Sequence, residues 1–316
     1  MIKKIKTLAL VGVLSVGVVG CSNNSPKEDS VKISLVLSTG GVNDASFNQS
    51  AWEGALEAKN EYGVEVSYLE SNSDADFMQN IETAIDQESD LVVGVGFQIG
   101  TAIEEASKSY PNQQFAIIDS TYEEIPSNVR PILFDEEQAG YLTGLIAGKT
   151  TETDVIGFVP GMDIISCTSF GDGFERGAKE VNPNVKVLKQ FVNSFTDSAK
   201  AKVIAQQMIN SENADIIFTA CGTGNSGVLE AVKEANIKAI GVDMPSSYLA
   251  PGYILTSALK NVGEGLKLTI KDFIDGNFNG GSEVKYNLLN GGVGYEKTDL
   301  IPKDVIEFVE GKINSK

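Results

Sequence analysis

The side chains able to recognise or transform a ligand gather at a few points along this chain. Ser38, Asp44, Phe47 and Asn48 fall within STGGVNDASFN, directly after the apolar run from Val31 to Leu37. Phe97 lies in GVGFQIG, Asp119 in FAIIDS, Phe170 in IISCTSFGDGF and Phe195 in NSFTDSAK. Gly222 opens Gly-Thr-Gly, Asp243 ends IGVD and Lys260 ends ILTSALK. Carboxylates accept strong hydrogen bonds from hydroxyl groups, and one carboxylate can hold two neighbouring hydroxyls. Aromatic rings offer a face to a sugar or a base, and stacking on a base contributes roughly 1–3 kcal/mol. The combination suits a neutral ligand with a polyhydroxylated end and a flat end. An anionic ligand would want arginine, and Arg130 and Arg176 both sit away from these positions.

Each position also has a duller reading. Asp44 could serve a turn or a helix N-cap, and Phe97, Phe170 and Phe195 could be core packing. Asp119 and Asp243 could cap the next segment. The glycines of CGTGNSG form no phosphate loop, because no Gly-Lys-Ser/Thr follows. The chain has no histidine, which excludes histidine triads, histidine general bases and histidine metal sites. Cys167 and Cys221 lack metal-ligand spacing and read as two buried thiols, with pairing left open. No cofactor is expected.

The elements that must position these residues alternate. Strands are expected at 32–37, 64–69, 91–95 and 114–118, with helices at 47–62, 76–87 and 101–110 between them. Beyond Asp135 the pattern restarts, with helices at 136–149, 169–181, 196–210 and 226–235 and strands at 155–159, 186–191, 215–219 and 238–242. Continuous apolar strands alternating with amphipathic helices imply parallel sheets covered on both faces. The fold class is α/β, with two doubly wound parallel-sheet lobes. Open sheets of this kind place ligands outside the carboxyl ends of their strands, where nearly all the candidate residues fall. That joint placement, at the edges of two sheets facing one cleft, outweighs the duller readings. The later pieces at 253–258 and 261–273 are expected to cross back between lobes. The domain reading is residues 31–134 with 260–282 for the first lobe, and 135–259 with 283–316 for the second.

The N-terminus carries an address. Lys3, Lys4 and Lys6 precede an apolar stretch from Thr7 to Val19 that is too short to span a bilayer comfortably. Val-Val-Gly-Cys follows, which resembles a bacterial lipoprotein signal with Cys21 as the acylated mature N-terminus. The expectation is a signal peptide at 1–20, a tether at 21–30, and a monomer lipid-anchored to the extracytoplasmic face of the cell membrane. Two acyl chains hold a protein stably where one does not. The net charge of −18 disfavours nucleic acid and anionic lipid as partners.

STGGVNDASFNQSAWEG, FDEEQAGYLTGLIAGK, GFVPGMDI with FGDGFERGAK, SFTDSAKAK, and IGVD with LTSALK resemble the basic membrane protein family of substrate-binding lipoproteins, from about Val31 to the C-terminus. Characterised members of that family include purine nucleoside receptors. The resemblance implies a periplasmic-binding-protein type I fold, ligand held between lobes, and delivery to the permease and ATPase of an ABC importer. It implies that Phe47 and Phe195, or Phe170 in place of Phe195, sandwich the base. Asn48 and Asp119 then meet polar atoms of the base, while Asp243, Lys260 and the backbone near Gly222 take the ribose. Many relatives carry Asp where this chain has Ser38. The expected function is capture of guanosine, adenosine or inosine without chemistry. The alternatives are a receptor for a free sugar or other small polar solute, and a regulatory lipoprotein on the same scaffold. A nucleoside hydrolase lacks support, since no dense aspartate cluster lies near the N-terminus and no histidine can act as acid.

Overall fold

Short apolar runs rich in Val, Ile, Leu and Phe become central strands here, and each glycine- or Asx-marked stop becomes the turn into a helix. The computed structural model describes residues 30–314. The expected leader, Cys21 and nearly all of the tether lie outside the described residues. The first lobe runs β1 (Lys32–Leu37), α1 (Phe47–Tyr62), β2 (Glu65–Leu69), α2 (Phe77–Asp86), β3 (Leu91–Val95), α3 (Gly100–Ser109), β4 (Gln114–Ile118) and β5 (Val129–Phe134). The second runs α4 (Glu136–Thr150), β6 (Val155–Pro160), α5 (Ile165–Val181), β7 (Lys186–Lys189), α6 (Ser198–Glu212), β8 (Ile216–Ala220), α7 (Asn225–Ala235), β9 (Lys238–Asp243) and β10 (Ile254–Lys260). The chain then returns to the first lobe as α8 (Val262–Ile274) and β11 (Val284–Tyr286), and ends in the second as β12 (Val293–Tyr295) and α9 (Lys303–Asn314).

The two sheets repeat one plan. Their strand orders are β2-β1-β3-β4-β5-β11 and β7-β6-β8-β9-β10-β12. Only the last pair differs, since β11 runs parallel to β5 whereas β12 runs antiparallel to β10. This is the type I periplasmic-binding-protein architecture expected above. The central strands β3 and β8 are buried along their whole length, while no residue of edge strand β7 or β2 is fully buried.

Two boundaries differ from the sequence expectation. Lys260 pairs with Val293 inside the second sheet, so the crossover comes after it rather than before it. Residues 284–286 pair with β5, so the first lobe extends past 282. A three-residue strand carries too little periodicity to be read. Strand β5 was also not expected, because Arg130 and Pro131 interrupt its apolar run. Arg130 there makes a 2.8 Å ion pair with Asp272 of α8, which ties the returning helix to the first sheet.

Helices α4 and α5 lie closer than ordinary side chains would allow. A Cβ on Gly140 or Gly144 would fall 2.1 or 2.2 Å from the carbonyl oxygens of Phe170 and Phe174. One on Gly173 or Gly177 would fall 2.0 or 2.1 Å from those of Glu137 and Tyr141. Glycines spaced four apart on both helices thus let the backbones touch, which explains the spacing in EEQAGYLTGLIAGK. Gly144→Ala is expected to cost at least the roughly 1–3 kcal/mol of an overpacked core, read as a lower urea midpoint at unchanged slope. A midpoint equal to wild type would refute the close approach.

Candidate functional site

The loop after β1 is built to hold one shape. Asp44 accepts the backbone N–H groups of Ser46 at 2.9 Å, Asn48 at 2.9 Å and Gln49 at 3.1 Å. Its carboxylate therefore satisfies donors at the start of α1, where a negative charge also meets the positive end of the helix dipole. Asn48 donates to the carbonyls of Ser38 at 3.3 Å and Gly41 at 3.2 Å, and accepts from Ser38 Oγ at 3.0 Å. The amides and hydroxyl crowded into this turn lash it together and present Phe47 to the cleft. Both Asp44 oxygens and both Asn48 side-chain N–H groups are engaged by the loop itself. For Asp44 the cap reading prevails over a direct ligand contact, and Asn48 keeps only its carbonyl oxygen for one.

Between the lobes lies a partly open cavity with about 690 Å³ of empty space, open solvent included. Every one of the expected site residues lines it: Ser38, Asp44, Phe47, Asn48, Phe97 and Asp119 from the first lobe, and Phe170, Phe195, Gly222, Asp243 and Lys260 from the second. Sequence reasoning missed Thr39, Gln98, Ile164, Ser166 and Cys167, which also line it, as does Thr223 of the Gly-Thr-Gly turn. The neighbours of the recognised residues in GFQIG, DIISC and CGTG could have flagged most of them. Cys167 and Cys221 are both free and buried, and burial pushes their thiols up to about 11 and about 12.

The aromatic residues divide into two kinds. Phe97 and Phe195 face one another across the cleft at 6.4 Å between centroids and 61° between planes. Phe195 is held from behind, because its carbonyl accepts from Gly224 N at 3.3 Å and Thr223 Oγ1 at 3.2 Å. Gly222 makes that approach possible, with φ at +61° and a would-be Cβ only 2.7 Å from the Phe195 carbonyl oxygen. Phe170 is buried on α5 with its ring edge-on to Phe218 at 6.0 Å. It forms cavity wall and core at once, so Phe195 is the better placed of the two for stacking.

At the floor stands Lys260, 2 % exposed. Its ammonium bonds Asp119 Oδ2 and lies 2.9 Å from Glu136 Oε1. It also sits 5.1 Å from the centre of the Phe47 ring, within reach of a cation–π attraction. Burial pushes Lys260 down, but Asp119, Glu136 and Asp243 outweigh it and hold the ammonium well above its usual range. Burial pushes Asp119 and Glu136 up, against the pull of Lys260. Asp243 is pushed up to about 6 by burial, opposed by Lys260 and by a hydrogen bond from Ser46 Oγ. Among the described residues Asp119 Oδ1 is buried without a hydrogen-bond partner. Glu136 and Ser46 do not line the cavity and were not foreseen, since neither falls at the end of an expected strand. Among the described residues no cluster of three or more acidic or cysteine side chains has metal-binding geometry.

Comparison with known proteins assigns the chain to a family. The family model described as "ABC transporter substrate-binding protein PnrA-like" matches residues 31–316. The chain belongs to that family. Its members are substrate-binding proteins of ABC transporters and not enzymes. The chain is 34% identical to the ABC transporter nucleoside-binding protein BmpA of Lactococcus lactis subsp. cremoris, over 99% of each protein. It is 35% identical to basic membrane protein A of Borreliella afzelii, over 93% of this chain and 91% of that one. Among solved structures, an ABC transporter solute-binding protein from Aeropyrum pernix superposes with a TM-score of 0.78 at 29% identity, covering 90% of this chain and 86% of that one.

Replacing the floor cation should expose its cost structure. Lys260→Met would leave three buried carboxylates without their cation, a loss of roughly 3–5 kcal/mol at pH 7.5. The carboxylates can take up protons instead, so the deficit against wild type should shrink at pH 5, where more of them are neutral. Urea denaturation at the two pH values checks this. A deficit of equal size at both would refute the electrostatic account.

Proposed function

We propose that this substrate-binding protein is the lipid-anchored receptor of an ABC importer for purine nucleosides, guanosine, adenosine or inosine among them. The observation that carries the reading is the pairing of cross-lobe phenylalanines with a carboxylate floor in one cavity. Phe47 and Phe97 come from one lobe and Phe195 from the other, so a flat base inserted among them is held by both lobes. Asp119 Oδ1 is a buried acceptor that needs a donor, which a base N–H or a hydroxyl supplies. Asp243 and Lys260 offer an acceptor and a donor for ribose hydroxyls. A phosphate would meet three carboxylates against one lysine already engaged by two of them, which favours nucleoside over nucleotide. The Lactococcus lactis relative, by name a nucleoside-binding protein, supports the same class.

Residues from both lobes touch the cavity, so a ligand bridging them favours the closed arrangement. Hinge motion would fall at the three crossovers, next to Asp135, Asn261 and the segment after Tyr286. Acylation at Cys21 would tether the monomer to the extracytoplasmic face of the cell membrane, beside its permease and ATPase. No helix among the described residues is long and apolar enough to cross a membrane.

Calorimetry with guanosine, adenosine and inosine should give saturable binding, with ribose, free bases and guanosine monophosphate much weaker. Phe195→Ala should weaken nucleoside binding by roughly 1–3 kcal/mol through lost stacking. Ribose binding as tightly as guanosine would favour a free-sugar receptor instead. Cys21→Ala should abolish incorporation of a labelled fatty acid in cells, and undiminished labelling would end the claim for the anchor.

A further inference from the structure

The two lobes carry the same acidic residue at the same place. Asp119 follows the fourth strand of the first sheet, and Asp243 ends the fourth strand of the second. Both adopt the left-handed backbone region, with φ at +64° in each. Aspartate tolerates that region better than most residues, but it remains an uncommon conformation. Each is also reached from the opposite lobe. The Lys260 ammonium, at the end of the second lobe's β10, bonds Asp119. The Ser46 hydroxyl, from the first-lobe loop before α1, donates to Asp243 Oδ2.

Of these two cross-lobe bonds, the second involves a residue that does not line the cavity. Ser46 is 1 % exposed and lies between Asp44 and Phe47, inside the lashed loop. Its own backbone N–H is fixed by Asp44 Oδ1 at 2.9 Å, and its carbonyl accepts from Ser50 N at 3.0 Å. The hydroxyl is therefore carried on a rigid mount. Asp243 lines the cavity, and the bond to Oδ2 restricts rotation of the carboxylate about its Cβ–Cγ bond. Because the two partners belong to different lobes, opening the cleft separates them.

We propose that Ser46 is a positioning residue for the cavity ligand: on closure its hydroxyl locks the Asp243 carboxylate of the opposite lobe into the orientation that receives ligand hydroxyls. The inference rests on the nucleoside reading of the cavity for its ligand but not for the latch itself. It makes the second lobe's acceptor fully ordered only in the closed arrangement, so hydroxyl recognition and closure reinforce one another. The groups facing Asp243 are Lys260, Asp44, Glu136 and Asp119, with the Cys167 thiol also in its field. Lys260 and Ser46 favour its ionised form, while burial and the other carboxylates oppose it. Asp243 held at about 6 in the folded protein titrates lower when unfolded. It therefore favours folding most at low pH, and that contribution fades as pH rises through about 6. Removing the Ser46 donor should move this fading to lower stability at neutral pH and to a higher midpoint.

The test is a double-mutant cycle of Ser46→Ala and Asp243→Asn, read by guanosine calorimetry from pH 5 to 8 and by thermal unfolding of the ligand-free proteins over the same range. Ser46→Ala should weaken guanosine about tenfold in the wild-type background, the size expected for a hydrogen bond to a charged group. It should have little effect in the Asp243→Asn background, and should move the wild-type binding midpoint to higher pH. A tenfold loss in both backgrounds, or none in either, overturns the proposal. If wild type binds no nucleoside, the functional reading fails separately. The bond is formed in this arrangement of the lobes, so the ligand-free arm then decides on the latch: an upward shift of the stability midpoint in Ser46→Ala supports it, and an unchanged midpoint overturns it.

Discussion

A single buried ammonium organises the centre of this molecule. Lys260 sits at the end of β10, one residue before the chain leaves the second lobe, and holds Asp119 of the first lobe and Glu136 at the start of α4. It thereby joins the first and second crossovers and the edge of the first sheet. Taking a lysine and several carboxylates out of water costs several kcal/mol per ion, recovered only when each is well paired. One cation against Asp119, Glu136 and Asp243 leaves the cluster short of positive charge. Burial raises the carboxylates towards protonation and their mutual repulsion adds a lesser push; in the proposed reading such a floor takes donors in preference to anions.

The remainder of the fold brings that cluster to the surface of a cleft. Two sheets of the same order place their fourth strands in equivalent positions, so two aspartates meet where the lobes face each other. The glycine-lined contact of α4 and α5 lets the first helix after the crossover lie directly on its neighbour, which sets where Glu136 emerges. The loop after β1 completes the enclosure. Its amides and carboxylate satisfy the loop's own backbone, and this rigidity lets one phenylalanine be offered to the cavity instead of being drawn into the core.

Particular residues show how far a linear reading reaches. The alternation of strands and helices, the two-lobed plan and the positions of Phe47, Phe195, Asp119 and Asp243 at sheet edges were all legible, because periodicity and strand termini are local properties. Strand β5 was hidden by Arg130 and Pro131, and β11 by its length. Asp44 and Phe170 line the cavity as expected, but each also does the plainer work its type allows, capping α1 and packing on Phe218. Glu136 and Ser46 gave no local signal, since a glutamate in the first turn of a helix and a serine in a turn are ordinary.

The sequence by itself determined the α/β class and the absence of histidine chemistry. These follow from residue types and short-range spacing, which survive without knowledge of distant neighbours. Only the tertiary structure decided which polar atoms are spent on the protein and which face the cavity. Lys260 meets Asp119 across 141 positions and Ser46 meets Asp243 across 197. Such pairings arise because burial removes water as a partner, and every charged or polar group must then find one wherever the folded chain happens to bring it.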